Sequence, residues 1–154
     1  MHQYGKEILK RDGAFELKLE PGVQRMGGQS FDDLRPAFLK LEDLMRVLGF
    51  SFTDIVAVQV AVREAGANGV RHGVQGEPAR WVEFRYLVNQ DEVVVEVEDD
   101  GPGFDPNLVP DPFHGDSCER FKRLGLFLMR AHMNWVHFNQ RGNRVTLGRR
   151  RSAP

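Results

Sequence analysis

Cysteine is nearly absent from this chain. Cys118 is the only one, so no internal disulfide can form, and a reducing compartment suits the sequence. Long apolar runs are missing as well. No stretch approaches the ~20 residues that a helix needs to span a bilayer, and Met1 to Arg11 is polar, without the apolar heart of a signal peptide. Together these absences predict a cytoplasmic protein without membrane contact. Net charge is also scarce, at -1 over 154 residues. That removes a global electrostatic reason for binding nucleic acid or an anionic surface. The basic tail Arg149–Arg151 is most simply a solvated end. No G-x-x-x-x-G-K-[ST] occurs, which disfavours a P-loop enzyme. The five histidines assemble no closed set of four ligands. His114 and Cys118 are four apart without a second pair, and His132 and His137 straddle a predicted helix end and a strand.

The remaining composition is ordinary for a globular domain, with 41% hydrophobic and 28% charged residues. The length suits one domain, residues 1–154, able to bury a real core. Ala14 to Leu19 alternates like a short strand, and Pro21 to Ser30 reads as a glycine-rich loop. Leu34, Phe38, Leu41, Met45 and Leu48 recur at helical spacing, predicting a helix over 31–48 with Pro36 in its first turn and Gly49 at its C-terminal cap. Ser51 to Asp54 resembles a capping box opening a second helix that runs to about Val70 or His72. Trp81–Val88 and Glu92–Glu98 read as strands joined by a turn at Asn89–Asp91. The proline-rich stretch 102–120 is long for a structureless loop, which points to a lid or binding loop. Leu124 to Met133 reads as a packed helix, and Trp135–Asn139 with Val145–Gly148 as a last hairpin. This order predicts an α+β two-layer sandwich, a mixed sheet with helices on one face.

The second helix is apolar nearly all round, the signature of a buried helix. Gln59 and Arg63 form one polar stripe. Glu64 and Asn68, four apart, form another roughly opposite, with Arg71 a turn further on. In one reading Glu64 and Asn68 are solvated or pair with Arg71. In the other they face a ligand, the carboxylate orienting or deprotonating a hydroxyl and the amide oxygen serving as a hard ligand for Mg2+. The run VEDDGPGFDP (residues 97–106) poses a matching question. A strand ends in two adjacent acids and then loses side chains at Gly101 and Gly103. A surface turn explains this composition, and so does a ligand that needs a carboxylate acceptor beside bare backbone.

Taken in order, VREAGANGVRHG, VEDDGPGFDP and LGLFLMRAHMNWV resemble the N, G1 and G2 boxes of the GHKL ATP-binding superfamily, and GNRVTLGRR resembles its last strand. Within it the chain is similar to the small anti-sigma-factor serine kinases of the RsbW and SpoIIAB type. The likeness runs from about Phe15 to Arg149. It implies the Bergerat ATP-binding fold, with ATP and Mg2+ as ligands. By position, Glu64 is then the catalytic carboxylate, Asn68 the Mg2+ ligand and Asp99 the acceptor for the adenine amino group. Gly101 and Gly103 let backbone approach the nucleotide, residues 104–122 form an ATP lid, and Gly125 sits near the phosphates at a helix N-terminus. The family's G2 box usually has glycine two places before Gly125, where this chain has Arg123. That guanidinium either contacts phosphate or fills its space. The resemblance implies an ATP-dependent serine/threonine protein kinase and anti-sigma factor in bacterial transcription regulation. Its partners would be a sigma factor and an anti-anti-sigma protein of the STAS type, and a homodimer is allowed. The alternative is a non-catalytic partner-switch module that binds nucleotide, and more remotely a histidine-kinase catalytic domain.

Overall fold

The computed structural model describes residues 8–11, 14–17, 24–109 and 117–153, with side chains from Gly28 to Val109 and from Leu124 to Ala153. Two short strands, β1 (Ile8–Arg11) and β2 (Ala14–Leu17), pair only with each other. The main sheet holds β3 (Gln24–Gly28), β4 (Val82–Val88), β5 (Glu92–Asp99), β6 (Trp135–Phe138) and β7 (Arg144–Arg150) in the order β3-β4-β5-β7-β6. Helices α1 (Phe31–Val47), α2 (Phe52–Asn68) and α3 (Ser117–His132) cover one face, with α2 packed between α1 and α3.

The two-layer α+β architecture is as expected, but the sheet is antiparallel throughout rather than mixed. β6 runs in the same direction as β5, yet β7 lies between them, so no parallel pair forms. Gln24–Gly28 is also an edge strand rather than loop. Its contribution is backbone pairing with β4, which glycines can make without apolar side chains.

α1 starts at a full capping box. Ser30 Oγ accepts from the Asp33 amide at 3.2 Å, and the Asp33 carboxylate accepts from the Gln29 and Ser30 amides, both at 2.9 Å. Those amides hold the Asp33 pKa below its ordinary value. Because Phe31 is already helical, Pro36 is the sixth residue and not in the first turn. The bond it forfeits belongs to the carbonyl of Asp32, which water can reach because Asp32 is exposed. The helix ends in a Schellman motif. Gly49 takes φ +78°, its N–H donates to the Arg46 carbonyl, and the Phe50 N–H donates to the Met45 carbonyl, both at 3.0 Å. Phe50 and Met45 are buried together in the core.

α2 buries Ile55, Val58, Ala61, Val62 and Ala65 against the sheet residues Phe84, Val95, Val97 and Leu147. Phe31, Phe38, Phe84 and Tyr86 form a chain of tilted and edge-on rings with centroids 5.2 to 5.6 Å apart. Gln59 is not on a solvated stripe. It is buried and its Nε2 donates to the Phe38 carbonyl at 3.0 Å, tying α2 to α1. The helical face continues past Asn68 as a π-helical segment over Gly69–Val74, ending at Gln75 with φ 52°.

Ser51 caps α2 by accepting from the Asp54 amide at 3.0 Å, but the Asp54 carboxylate does not complete a capping box. It is fully buried and accepts from Arg149 Nε at 2.8 Å and from the Ser152 amide and hydroxyl at 2.9 and 2.7 Å. Burial alone would raise its pKa. The Ser152 amide and hydroxyl, Arg149 and the Ser51 hydroxyl outweigh that and hold it at about 2, against an ordinary 3.8. The folded pKa is depressed, so the stabilisation is present above about 4 and is lost as pH falls through about 2, and it is worth about 2 kcal/mol. Asp54→Asn should therefore lose about 2 kcal/mol at pH 7 and flatten the acid limb of stability between those values. Urea midpoints measured across that window check this, and an acid limb as steep as that of the parent would refute it.

Candidate nucleotide-binding site

α2 delivers Glu64 and Asn68 one turn apart to the side that faces α3. Both are half-buried, and neither makes a hydrogen bond or ion pair among the described residues. The pairing with Arg71 therefore does not occur, and Arg71 is exposed. α3 meets this pair at Gly125. A β-carbon there would lie 2.9 Å from Glu64 Oε2, 3.5 Å from Asn68 Nδ2 and 3.7 Å from Asn68 Oδ1. The missing side chain lets the α3 backbone close on the carboxylate and the amide. Gly125 is not at a helix N-terminus, however. α3 begins at Ser117, so its N–H lies within the helical ladder and is not one of the free donors that attract anions. The same early start shortens the expected lid. Residues 100–116 separate β5 from α3, so of the expected lid no more than 104–116 precedes the helix, and 110–116 fall outside the described residues. Arg123 lies on α3 two residues before Gly125, with its side chain outside the described set.

The other wall comes from the end of β5. Asp99 and Asp100 are adjacent like charges that point to different tasks. Asp100 Oδ2 accepts from the Trp81 amide at 2.9 Å and pins the start of β4. Asp99 turns to the cleft, where its Oδ1 accepts from the Gly101 amide at 2.8 Å. Gly101 lies directly behind it. A β-carbon on Gly101 would come within 2.5 Å of Gly73 Cα and 2.8 Å of Asp99 Oδ1, and one on Gly73 would overlap the Asp99 carboxyl. Gly103 and Gly142, at φ +76° and +75°, interlock the β5 turn with the β6–β7 hairpin tip, since a β-carbon on either would overlap the carbonyl of Arg141 or Phe104. These glycines keep the turn open through contacts within the protein, a reason additional to approach by a ligand.

Between the walls lies a cleft of about 500 Å3, counting its mouth to solvent, lined by Asn68, His72, Asp99, Gly103, Phe104, Met129, Phe138 and Asn143 among others. Apolar surface from Val97, Met129 and Phe138 suits a flat base, and Asp99 offers it an acceptor. Sequence reasoning singled out Asn68, Asp99 and Gly103, which line this cleft, Glu64 and Gly125, which adjoin one another beside Asn68, and Gly101, which lies behind Asp99. It missed His72, Gly73, Asn143 and Gly142. The signal for Gly73 was there, since it follows Asn68 in the same quoted box.

Burial raises the Asp99 pKa. The neighbouring Asp100 and Glu98 add to this, and the Gly101 amide and Arg141 partly oppose it. The ionised carboxylate therefore costs stability above its raised pKa, and that cost vanishes below the ordinary 3.8. Asp99→Asn keeps the acceptor for Gly101 and removes the charge. It should melt higher than the parent at pH 7 and converge with it in acid, while losing affinity for adenosine because an amide N–H would face the base. Melting curves and calorimetry test both halves, and a variant that melts lower at pH 7 would overturn the account. Gly125→Ala should keep the fold, since the nearest obstacle is the flexible end of Glu64, but it should displace that carboxylate. Thermal melts should then show little change in melting temperature.

A sequence-family model describing the histidine kinase-like ATPase domain matches residues 29–149, and the chain belongs to that family. A serine-protein kinase RsbW from Listeria monocytogenes serotype 4a is 34% identical over 104 residues, which cover 64% of this chain and 66% of the relative. One from Bacillus licheniformis is 32% identical over 104 residues, covering 64% and 65%, and one from Oceanobacillus iheyensis 28% over 109, covering 67% and 69%. The aligned part spans just under two thirds of the Listeria and Bacillus relatives. Among the described residues, no helix is long and apolar enough to cross a membrane, and no group of three or more His, Cys, Asp or Glu could hold a metal ion.

Proposed function

We propose that this protein is an ATP-dependent serine/threonine protein kinase that acts as an anti-sigma factor. In this reading it binds a sigma factor and phosphorylates an anti-anti-sigma partner of the STAS type. The observation that carries the reading is the placing of Glu64 and Asn68, which have no hydrogen-bond or ion-pair partner among the described residues, against Gly125, across a cleft from a half-buried Asp99. Half-buried polar groups without protein partners are costly unless something else satisfies them.

The residues fit Mg2+ and ATP by donor chemistry. The Asn68 carbonyl oxygen is a hard ligand of the kind Mg2+ takes, an ion that draws most of its remaining oxygens from phosphates and water. Bound with Mg2+, ATP supplies the phosphoryl group for transfer. Glu64 orients the serine hydroxyl of the partner and takes its proton as the new O–P bond forms and the bond to the leaving phosphate breaks. Asp99 accepts from the amino group of the base and so selects adenine over guanine. The α2–α3 contact at Gly125 holds Glu64 and Asn68 on one rigid surface, and positioning of this kind is most of what phosphoryl transfer asks of a protein.

Glu64→Gln should retain ATP affinity within a few fold and lose roughly 10²–10⁴ in turnover. Asn68→Ala should weaken Mg2+-dependent ATP binding more than adenosine binding. Radiolabelled ATP with purified STAS proteins reads the reaction directly. Phosphoserine on the partner supports the kinase. Nucleotide binding with no transfer to any STAS protein would replace it with the non-catalytic switch module, which Arg123 in place of the G2 glycine favours.

A further inference from the structure

The tip of the β6–β7 hairpin grips the turn that carries Asp99 more firmly than hairpin closure requires. Within the tip, the Gly142 amide donates to the Asn139 carbonyl at 3.0 Å, and Asn139 Nδ2 donates to Asn143 Oδ1 at 2.9 Å. Three further bonds leave the tip for the β5 turn. Asn143 Nδ2 donates to the Asp99 carbonyl at 2.7 Å, and the Asp99 amide donates to the Asn143 carbonyl at 2.9 Å. One guanidinium nitrogen of Arg141 donates to the Gly101 carbonyl at 2.8 Å. Gly101 is also the residue whose amide holds Asp99 Oδ1. Its carbonyl is therefore fixed by Arg141 while its N–H fixes the carboxylate, which leaves Asp99 Oδ2 as the acceptor for a ligand in the cleft.

Arg141 is exposed, and ordering an exposed, flexible arginine onto a neutral carbonyl contributes little to folding. Its value lies in what the fixed turn presents. We propose that Arg141 is a positioning residue for base recognition: with Asn143 holding the Asp99 backbone, its bond to Gly101 aims the Asp99 carboxylate at a base that carries an exocyclic amino group. This rests on the reading of the cleft as an adenine-nucleotide site, and it extends that site to a hairpin that lies 40 residues further along the chain.

The electrostatics point the same way. Asp99 is faced by Glu98 and Asp100 on its own strand and turn, by Arg141 and Arg144 from the hairpin, by His72 from the π-helical segment and by Arg80 ahead of β4. Of these, Arg141 opposes the rise of the Asp99 pKa, whereas Asp100 and Glu98 drive it. Loss of Arg141 should therefore move the acid limb of base binding to higher pH, a change that a purely structural role would not produce.

The test uses the full chain and its Arg141→Ala and Arg141→Lys variants, titrated calorimetrically with ATP, adenosine and inorganic tripolyphosphate. Thermal melts monitor the fold. Arg141→Ala should melt close to the parent and lose about tenfold in affinity for adenosine and ATP, the size of one charge-assisted hydrogen bond. Tripolyphosphate binding should be unchanged. Arg141→Lys, which keeps a donor and a charge, should recover most of the loss, and the acid limb for adenosine should sit at higher pH in the alanine variant. Unchanged adenosine affinity in Arg141→Ala overturns the proposal, and so does an equal loss for tripolyphosphate, which would place Arg141 on the phosphates. If the parent itself binds neither ATP nor adenosine, the nucleotide reading of the cleft fails, and that outcome is distinct from failure of the latch alone.

Discussion

The backbone contact between Gly73 and Gly101 sets the dimensions of the cleft. One residue lies in the last turn of the helical path that carries Glu64 and Asn68, and the other lies in the turn that follows the strand carrying Asp99. With no side chain on either, the two segments touch, and a β-carbon on Gly101 would come within 2.5 Å of Gly73 Cα. A methyl group at this point would wedge the two walls apart and shift Asp99 relative to Asn68. Well-packed interiors transmit such shifts because they contain little free volume to absorb them.

The π-helical segment over Gly69–Val74 brings Gly73 to that contact. An α-helix continuing from α2 would present a different residue to the β5 turn, since each π-type bond spans five residues instead of four. Gln75, in the left-handed region, then stops the segment. α2 itself is held at its first turn and at its middle by means other than apolar burial. The Asp54 clamp to Arg149 and Ser152 ties its first turn to the end of β7, and Gln59 ties its middle to α1. The carboxylate and amide of the cleft thus ride on a helix that has little freedom to slide, which is what a transfer reaction sensitive to sub-ångström placement needs.

The two walls of the cleft were legible in the sequence because each is written in a contiguous run: a carboxylate and an amide four apart on an apolar helix, and a strand ending in acids and glycines. Their meeting was not legible. Gly73 reads as the end of a helix, and only the fold shows Gly101 lying on it. Asn143 and Arg141 look like polar turn residues until the hairpin is seen gripping Asp99. The start of α3 was missed because Ser117–Arg123 lacks the apolar period that marks Leu124 onward, so Gly125 was read as opening a helix in which it is an interior residue. β3 was missed because an edge strand needs only backbone on its paired side, and its glycines look like loop. The orientation of β6 was out of reach for a different reason. Local pattern identifies a strand, but its neighbour is set by the crossover through α3.

Asp54, Glu96, Glu64 and Asp99 show how the same chemistry divides between structure and function. Asp54 and Glu96 are fully buried, and each is matched. Arg149 and Ser152 satisfy Asp54, while Arg85 and Thr146 bond to Glu96 on the sheet face away from the helices. Removing Glu96 would strand the buried Arg85, and removing Asp54 the part-buried Arg149, so both acids are read as structural. Glu64 and Asp99 are only half-buried, and among the described residues no cation sits in bonding contact with them. Asp99 has one amide donor and two acidic neighbours, and Glu64 has no partner among the described residues. Burial fraction alone would rank the first pair as the more unusual. Satisfaction reverses the ranking, because an acid whose pairing is complete has no capacity left for a ligand, whereas one left short of donors gains from whatever supplies them. On that criterion Glu64, Asn68 and Asp99 stand apart from the two matched acids, since each keeps hydrogen-bonding capacity among the described residues, and Asn68 and Asp99 line the cleft that Glu64 adjoins.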